Sequence, residues 1–223
     1  MVVYHFSFDL HLFGLVEWDF YNDPRWIAFR TLILSLFLAL VGVSLHLATT
    51  GGLNITRYLR RLVMVVLCAA LVSLGSAMMF GQRWIFFGVL HFIALASVLG
   101  LLFRHGYWSN LILGLAVLGL GAGVRHPWFD HPWLQWWGMM TFKPPTEDYV
   151  PLFPWFGVVL LGLFLGRWVF GHARPRWLLA WRGSGALGRC LALGGRHSLA
   201  IYMLHQPVLI GVLALFLGLP DIY

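Results

Sequence analysis

Residues 1–14 read MVVYHFSFDLHLFG, a run apolar enough to enter a membrane that still carries His5, Asp9 and His11. His5 and Asp9 are four residues apart, so on a helix they lie one above the other on a single face. His11 falls off that face and reads as structural or interfacial. An ionisable pair inside a hydrophobic span is costly to hold there and marks a candidate functional site. The apolar run fades near Glu17, and Met1–Val16 would rise about 24 Å against a hydrocarbon core of about 30 Å. The span therefore reads as cut off at its N-terminal side, with a preceding cytoplasmic flank expected. The competing reading is a helix lying in the interface.

The rest of the chain supplies the membrane. Of its 223 residues 60% are hydrophobic, 17% aromatic and only 10% charged, with a mean hydropathy of +0.81. Soluble domains carry about 25% charged residues, so composition places this chain in a bilayer. Alternating ten-residue strands are absent and long apolar runs recur, which predicts an all-α, polytopic helical bundle rather than a barrel. The predicted spans after the first are Trp26–Thr49, Leu59–Phe80, Trp84–Phe103, Trp108–Val124, Leu152–Phe170 and Arg196–Leu219, making about seven. Gly51-Gly52 with Asn54 closes the second, and a basic loop precedes the last. No repeat or low-complexity segment divides the chain, so residues 1–223 read as one integral-membrane domain. No secretory leader or soluble domain is expected.

Charge distribution orients the spans. The net charge of +7 could suggest nucleic acid, but the arginines cluster at helix ends, so the reading is topological and no nucleic acid is expected. Arg57, Arg60, Arg61, Arg104, Arg167, Arg174, Arg176, Arg182, Arg189 and Arg196 fall on the side where the chain starts. Arg25, Arg30, Arg83, Arg125 and Lys143 fall on the other, with Glu17, Asp19, Asp23, Asp130, Glu147, Asp148 and Asp221. The excess of positive charge predicts a cytoplasmic N-terminus and an outer C-terminus. Residues 125–151 hold Pro127, Pro132, Pro144, Pro145 and a dense run of aromatics, which suits a re-entrant or lid-like loop at the interface. Cys68 and Cys190 form no metal or redox motif and are expected to be free thiols.

Several residues could carry chemistry. A carboxylate four residues from an imidazole orients it, and a neutral imidazole can take a proton from an amine or hydroxyl attacking an acyl carbonyl. No serine or cysteine elbow is present, so direct transfer to an acceptor is simpler than a covalent intermediate. The alternative is that His5 and Asp9 anchor helices through buried hydrogen bonds. His46, His91 and His205 lie in different predicted spans and allow a bis-histidine haem, against which stands their commoner use as polar contacts between helices. Arg57, Arg60, Arg61, Arg104 and Arg196 could hold donor phosphates or contact lipid headgroups. Arg83 and Arg125 are candidates for binding an acceptor or holding the loop. Glu147 and Asp148 could orient an acceptor, or cap a helix start.

Four motifs recur in a known order: YHFSFDL in the first span, WIFFGVLHFIALA in the fourth, DYVPLFPWFGVVLLG entering the sixth and GRHSLAIYMLHQP in the seventh. Together they resemble the bacterial branch of the heparan-alpha-glucosaminide N-acetyltransferase catalytic-domain family, one of a wider group of transmembrane acyltransferases. The resemblance covers almost the whole chain. It implies a multi-pass enzyme of the bacterial inner membrane that uses acyl-CoA, with acetyl-CoA as the expected donor and no metal, to acylate a sugar or similar acceptor. It also implies that His5 is the catalytic base, with Asp9 beside it. His91, Arg196, His197, Tyr202, His205 and Gln206 are the other matching polar positions, and Tyr202, His205 and Gln206 join His91 as pocket candidates. Family members are expected to carry an acidic residue and an Arg-Gly pair before the first span, and Met1 starts beyond that point.

The expected partners are therefore membrane lipids, acyl-CoA and a glycan-like acceptor, with homo-oligomerisation left open. A transporter or flippase for a sugar or lipid-linked substrate would use the same pocket without CoA. A b-type haem protein is the third reading, and it would show a Soret band.

Overall fold

The structure, a computed structural model, describes residues 1–146, 148–173, 175 and 185–218. Glu147, Arg174, Arg176, Arg182, Leu219 and Asp221, which entered the charge and span arguments, lie outside the described residues. Those that are described form eight α-helices and no strand. They are α1 (Val2–Leu12), α2 (Pro24–Thr49), α3 (Ile55–Phe80), α4 (Val89–Leu102), α5 (Trp108–Gly123), α6 (Leu152–Arg167), α7 (Ala186–Arg196) and α8 (Ser198–Leu217). A π-helical turn, Trp168–Ala173, extends α6. Four helices are long and apolar enough to cross a membrane: α2, α3, α6 with its extension, and α8. Helices α4 and α5 are apolar but shorter, and α1 has 11 residues.

Local chemistry sets the helix starts. Asp23 Oδ1 accepts the backbone N–H of Arg25 at 2.8 Å, with Pro24 at the first helical position. Asn54 Oδ1 accepts the N–H of Arg57 at 3.0 Å and caps α3. Between α2 and α3, Gly51 and Gly52 both take positive φ, +83° and +108°, which a side chain would resist.

The structure departs from several expected span boundaries: α1 ends at Leu12 rather than Val16, and α3 starts at Ile55 rather than Leu59. The fourth was expected from Trp84, but α4 begins at Val89. Residues 84–88 are held out of the helix by α3: Ser76 Oγ accepts the Ile85 N–H at 2.9 Å and Ser73 Oγ donates to the Ile85 carbonyl at 2.6 Å. The basic loop expected before the last span instead contains α7. Its Leu187 and Leu191 lie on one face and Arg189 and Arg196 on another, so it is amphipathic and too polar to register as a span.

The chain divides into two compact units, Met1–Leu34 with Trp177–Tyr223, and Ser35–Arg176. In the first, Phe20 is buried among Tyr4, Phe8, His11, Trp18 and Trp26, whose rings lie 4.4–6.2 Å from it. The second is built around α6, which buries Phe156, Val159, Leu160 and Leu163. Glycines set its helix spacing. A Cβ at Gly162 would stand 2.2 Å from the Ala39 carbonyl oxygen, and one at Gly157 would stand 2.6 Å from that of Gly114. Such backbone approaches suit helices that associate in lipid, where dispersion replaces the hydrophobic drive.

Candidate active site

Helix α1 has two working faces. Tyr4, Phe8 and His11 follow a helical stripe and pack on Phe20, and His11 Nδ1 also lies 3.0 Å from the Val16 carbonyl. That contact gives His11 a structural position. The second face carries His5 and Asp9 toward α8. The His5 ring centroid is 4.9 Å from that of His205, at 62°. Asp9 is fully buried, and its Oδ1 accepts from Gln206 Nε2 at 2.6 Å.

Three atoms of this cluster have no hydrogen-bond partner among the described residues although they are buried: Asp9 Oδ2, His205 Nε2 and Gln206 Oε1. His205 Nδ1 faces the carbonyls of Tyr202 (2.7 Å) and Ile201 (3.1 Å), so it carries the proton in the neutral ring. Its Nε2 is then a bare lone pair. The N–H of Gln206 goes to Asp9, so the amide oxygen is also an acceptor. The cluster thus presents three acceptors and no matching donor. Each unmade bond at a buried polar atom costs about 1–3 kcal/mol, a penalty that a ligand rich in N–H or O–H groups removes. Asp9 was expected to orient His5; the hydrogen bond its carboxylate makes is instead the one from Gln206, 197 positions away. Tyr202 lies one ring away, 5.9 Å from His205.

The other expected site residues are in the second unit, apart from Arg196, which ends α7 exposed. His91 Nδ1 accepts the Gly88 N–H at 3.3 Å, and its Nε2 lies 3.1 Å from Ser73 Oγ. Asp148 Oδ2 accepts the Val89 N–H at 2.9 Å. Both side chains therefore secure the N-terminus of α4; for Asp148 the cap is on α4 and not on the α6 start that follows it in sequence. Arg125 Nη1 donates to the carbonyls of Gly121 (2.7 Å) and Val124 (2.8 Å), closing the end of α5. It also lines a cavity of about 250 Å3 with Thr141, Lys143 and Tyr149. Burial pushes the Tyr149 phenol up to about 12, and it donates to the Gln135 carbonyl. Arg83 is exposed in the 3-10 turn Gly81–Arg83. Arg57, Arg60 and Arg61 are exposed on the first turns of α3, while Arg104 enters a second cavity at the end of α4. Of the three histidines considered for haem, His46 lies against Thr50, His91 against Ser73 and His205 against His5.

Sequence reading missed the hydroxyls of Ser73 and Ser76 and the facing of His205 on His5. The one available signal was the HQP tripeptide, two polar side chains before a proline within an apolar helix.

Fold and site together define a helical membrane protein with a buried, histidine-bearing polar cluster between α1 and α8. A family model described as heparan-alpha-glucosaminide N-acetyltransferase, catalytic, matches residues 1–207. The chain belongs to that family, whose description is that of an N-acetyltransferase catalytic domain. No curated protein and no solved structure matches it.

Proposed function

We propose that this protein moves an acyl group, acetyl in the simplest case, from acyl-CoA to a sugar or related acceptor, with His5 as general base. The observation that carries the reading is the set of unpartnered buried acceptors Asp9 Oδ2, His205 Nε2 and Gln206 Oε1 beside the His5 ring. An amino sugar or polyol is rich in donors and complements such a set. In the reaction the acceptor's amine or hydroxyl attacks the thioester carbonyl as His5 takes its proton. The tetrahedral intermediate then expels the CoA thiolate, which leaves with that proton as the thiol. His205 Nε2, open beside the His5 ring, would accept a hydrogen bond from the acceptor and hold its attacking group on His5. Asp9 and Gln206 would hold the acceptor. Holding donor and acceptor in one complex supplies the proximity that a direct transfer needs.

The same proposal retains a single membrane domain of seven spans in a bacterial inner membrane, with α1, α4 and α5 as the short ones. The arginine excess at one set of helix ends supports a cytoplasmic N-terminus, and Arg57, Arg60, Arg61, Arg104 and Arg196 as the group from which donor contacts are drawn. Arg83 and Arg125, on the opposite side by the charge pattern, are retained as candidates for binding the acceptor.

The test is acyl transfer by purified His5→Ala protein. The expected loss is about 10²–10⁴-fold, the usual weight of a general base, with the melting temperature retained. An unchanged transfer rate removes His5 from the mechanism. Thermal stabilisation by CoA separates the enzyme from a transporter, which would show none.

A further inference from the structure

A cavity of about 210 Å3 lies wholly within the second unit, where the C-terminal ends of α2, α4 and α6 meet. It is lined by His46, Thr49, Thr50, Arg104, His105 and Arg167. Every lining residue is polar, two are guanidiniums, and none is acidic.

Cations at helix C-termini ordinarily serve the electronegative last carbonyls. Here the threonines at the end of α2 serve part of that demand. Thr49 Oγ1 donates to the Leu45 carbonyl (2.9 Å) or that of His46 (3.0 Å), and Thr50 Oγ1 donates to that of His46 at 2.8 Å. A single N–H of Arg167 donates to the His105 carbonyl. Arg104 Nε donates to His105 Nε2 at 2.8 Å, which leaves the proton of neutral His105 on Nδ1 as a further donor. The hydrogen bonds to described residues thus occupy one of the five donors on each guanidinium. Arg167 is also held in place before any ligand arrives. Its guanidinium carbon lies 5.6 Å from the centroid of Tyr107, which stacks with Phe164 at 4.9 Å and with His172 at 4.6 Å. Preorganised, donor-rich and lined by no acidic side chain, the pocket suits an acceptor-rich anion.

We infer that this pocket binds a phosphate monoester. Planar guanidinium forks match phosphate oxygens, and His105 Nδ1 adds a neutral donor. The volume is below the 300–1,000 Å3 of sites that enclose a drug-sized ligand, so it takes a terminal phosphate and leaves the rest of the molecule outside. Two sources present that group: a soluble nucleotide or the headgroup of a phosphatidic acid. In the first case the pocket is where the donor's phosphate docks, and that assignment alone rests on the transfer reading above.

The experiment uses the full chain in phosphatidylcholine nanodiscs. Adenosine 3′,5′-bisphosphate is titrated calorimetrically, and thermal stability is compared with and without phosphatidic acid in the disc. Saturable bisphosphate binding that weakens about tenfold or more in Arg104→Gln supports the soluble source. Stabilisation by phosphatidic acid that Arg104→Gln abolishes, without bisphosphate binding, supports the lipid. Arg167→Gln is expected to weaken binding further, but it also supports the fold through His105 and Tyr107, so Arg104→Gln decides. Absence of both signals, or either signal unchanged in Arg104→Gln, overturns the inference. His5→Ala protein in the same titration is expected to bind like the unmodified chain while failing in transfer, so the two proposals fail separately.

Discussion

In the first unit Asp9, His205 and Gln206 each keep a buried acceptor with no donor among the described residues. In the second unit His91, Ser73, Ser76 and Asp148 are bonded to the backbone or to one another around the start of α4. Both clusters put polar side chains into an apolar chain, where an unmade bond is expensive. The satisfied cluster fixes the 84–88 bend and returns stability. The unsatisfied one gives up stability, and a site that does so is poised to recover it from a ligand. Two imidazoles at opposite poles of this contrast provide the sharpest test. His205→Ala should cut acyl transfer about a hundredfold or more, the lower end of acid–base effects, and leave the melting temperature in place. His91→Ala should do the reverse, costing about 1–3 kcal/mol by stripping partners from Ser73 and the Gly88 N–H, with transfer per folded molecule retained. Thermal unfolding beside a transfer assay reads both, and loss of transfer in a well-folded His91→Ala protein would break the contrast.

The contrast also assumes that the second unit is a rigid frame. Gly162→Leu attacks that frame directly, because even a Cβ at this position would meet the Ala39 carbonyl oxygen at 2.2 Å. Parting α2 from α6 should cost about 1–3 kcal/mol, the usual range for overpacking, and is measured as a loss of unfolding free energy in mixed micelles. A neutral result would mean that the two helices separate easily and that close packing does not hold this unit.

How far the sequence foretold this arrangement depended on distance along the chain. The close of α2 at the Gly51-Gly52 turn was legible because its signal is local. The starts of α2 and α3 were expected at Trp26 and Leu59 and lie at Pro24 and Ile55, just after Asp23 and Asn54. The break at 84–88 was not legible, because WIFFGVL is apolar throughout and the force that unwinds it comes from Ser73 and Ser76 on the preceding helix. Helix α7 was masked by its own amphipathicity, since arginines and glycines interrupt the apolar run. The shared face of His5 and Asp9 followed from four-residue spacing, yet periodicity carries no information about which distant side chain meets that face. The cavity at the ends of α2, α4 and α6 was invisible for the same reason: Arg104 was noticed for its charge, while His46, His105 and Arg167 join it only through tertiary packing.

A subtler probe of the open cluster is Asp9→Asn. The new side chain can still offer its Oδ1 to Gln206, so the fold should hold, but one bare acceptor becomes a donor. The concentration of acceptor substrate needed for half-maximal transfer should rise about tenfold, equivalent to about 1.4 kcal/mol, one neutral hydrogen bond. An unchanged requirement would show that Asp9 Oδ2 does not meet the substrate.

The smallest expected effect belongs to Asp148, which the sequence alone left between acceptor binding and capping. Its Oδ2 accepts the Val89 N–H, and it approaches so closely that a Cβ at Gly88 would lie 2.5 Å from that oxygen. A glycine at 88 is therefore part of the cap, giving the carboxylate room to reach an N–H that is 59 positions away in sequence. Asp148→Ala removes one N-terminal cap and should lower stability by about 1 kcal/mol, while Asp148→Asn, which retains an oxygen, should lose less. Neither should alter the acceptor concentration at half-maximal transfer, because the side chain is engaged at the start of α4. A changed requirement in Asp148→Asn, at unchanged stability, would move Asp148 from the frame to the substrate and make the satisfied cluster part of the site.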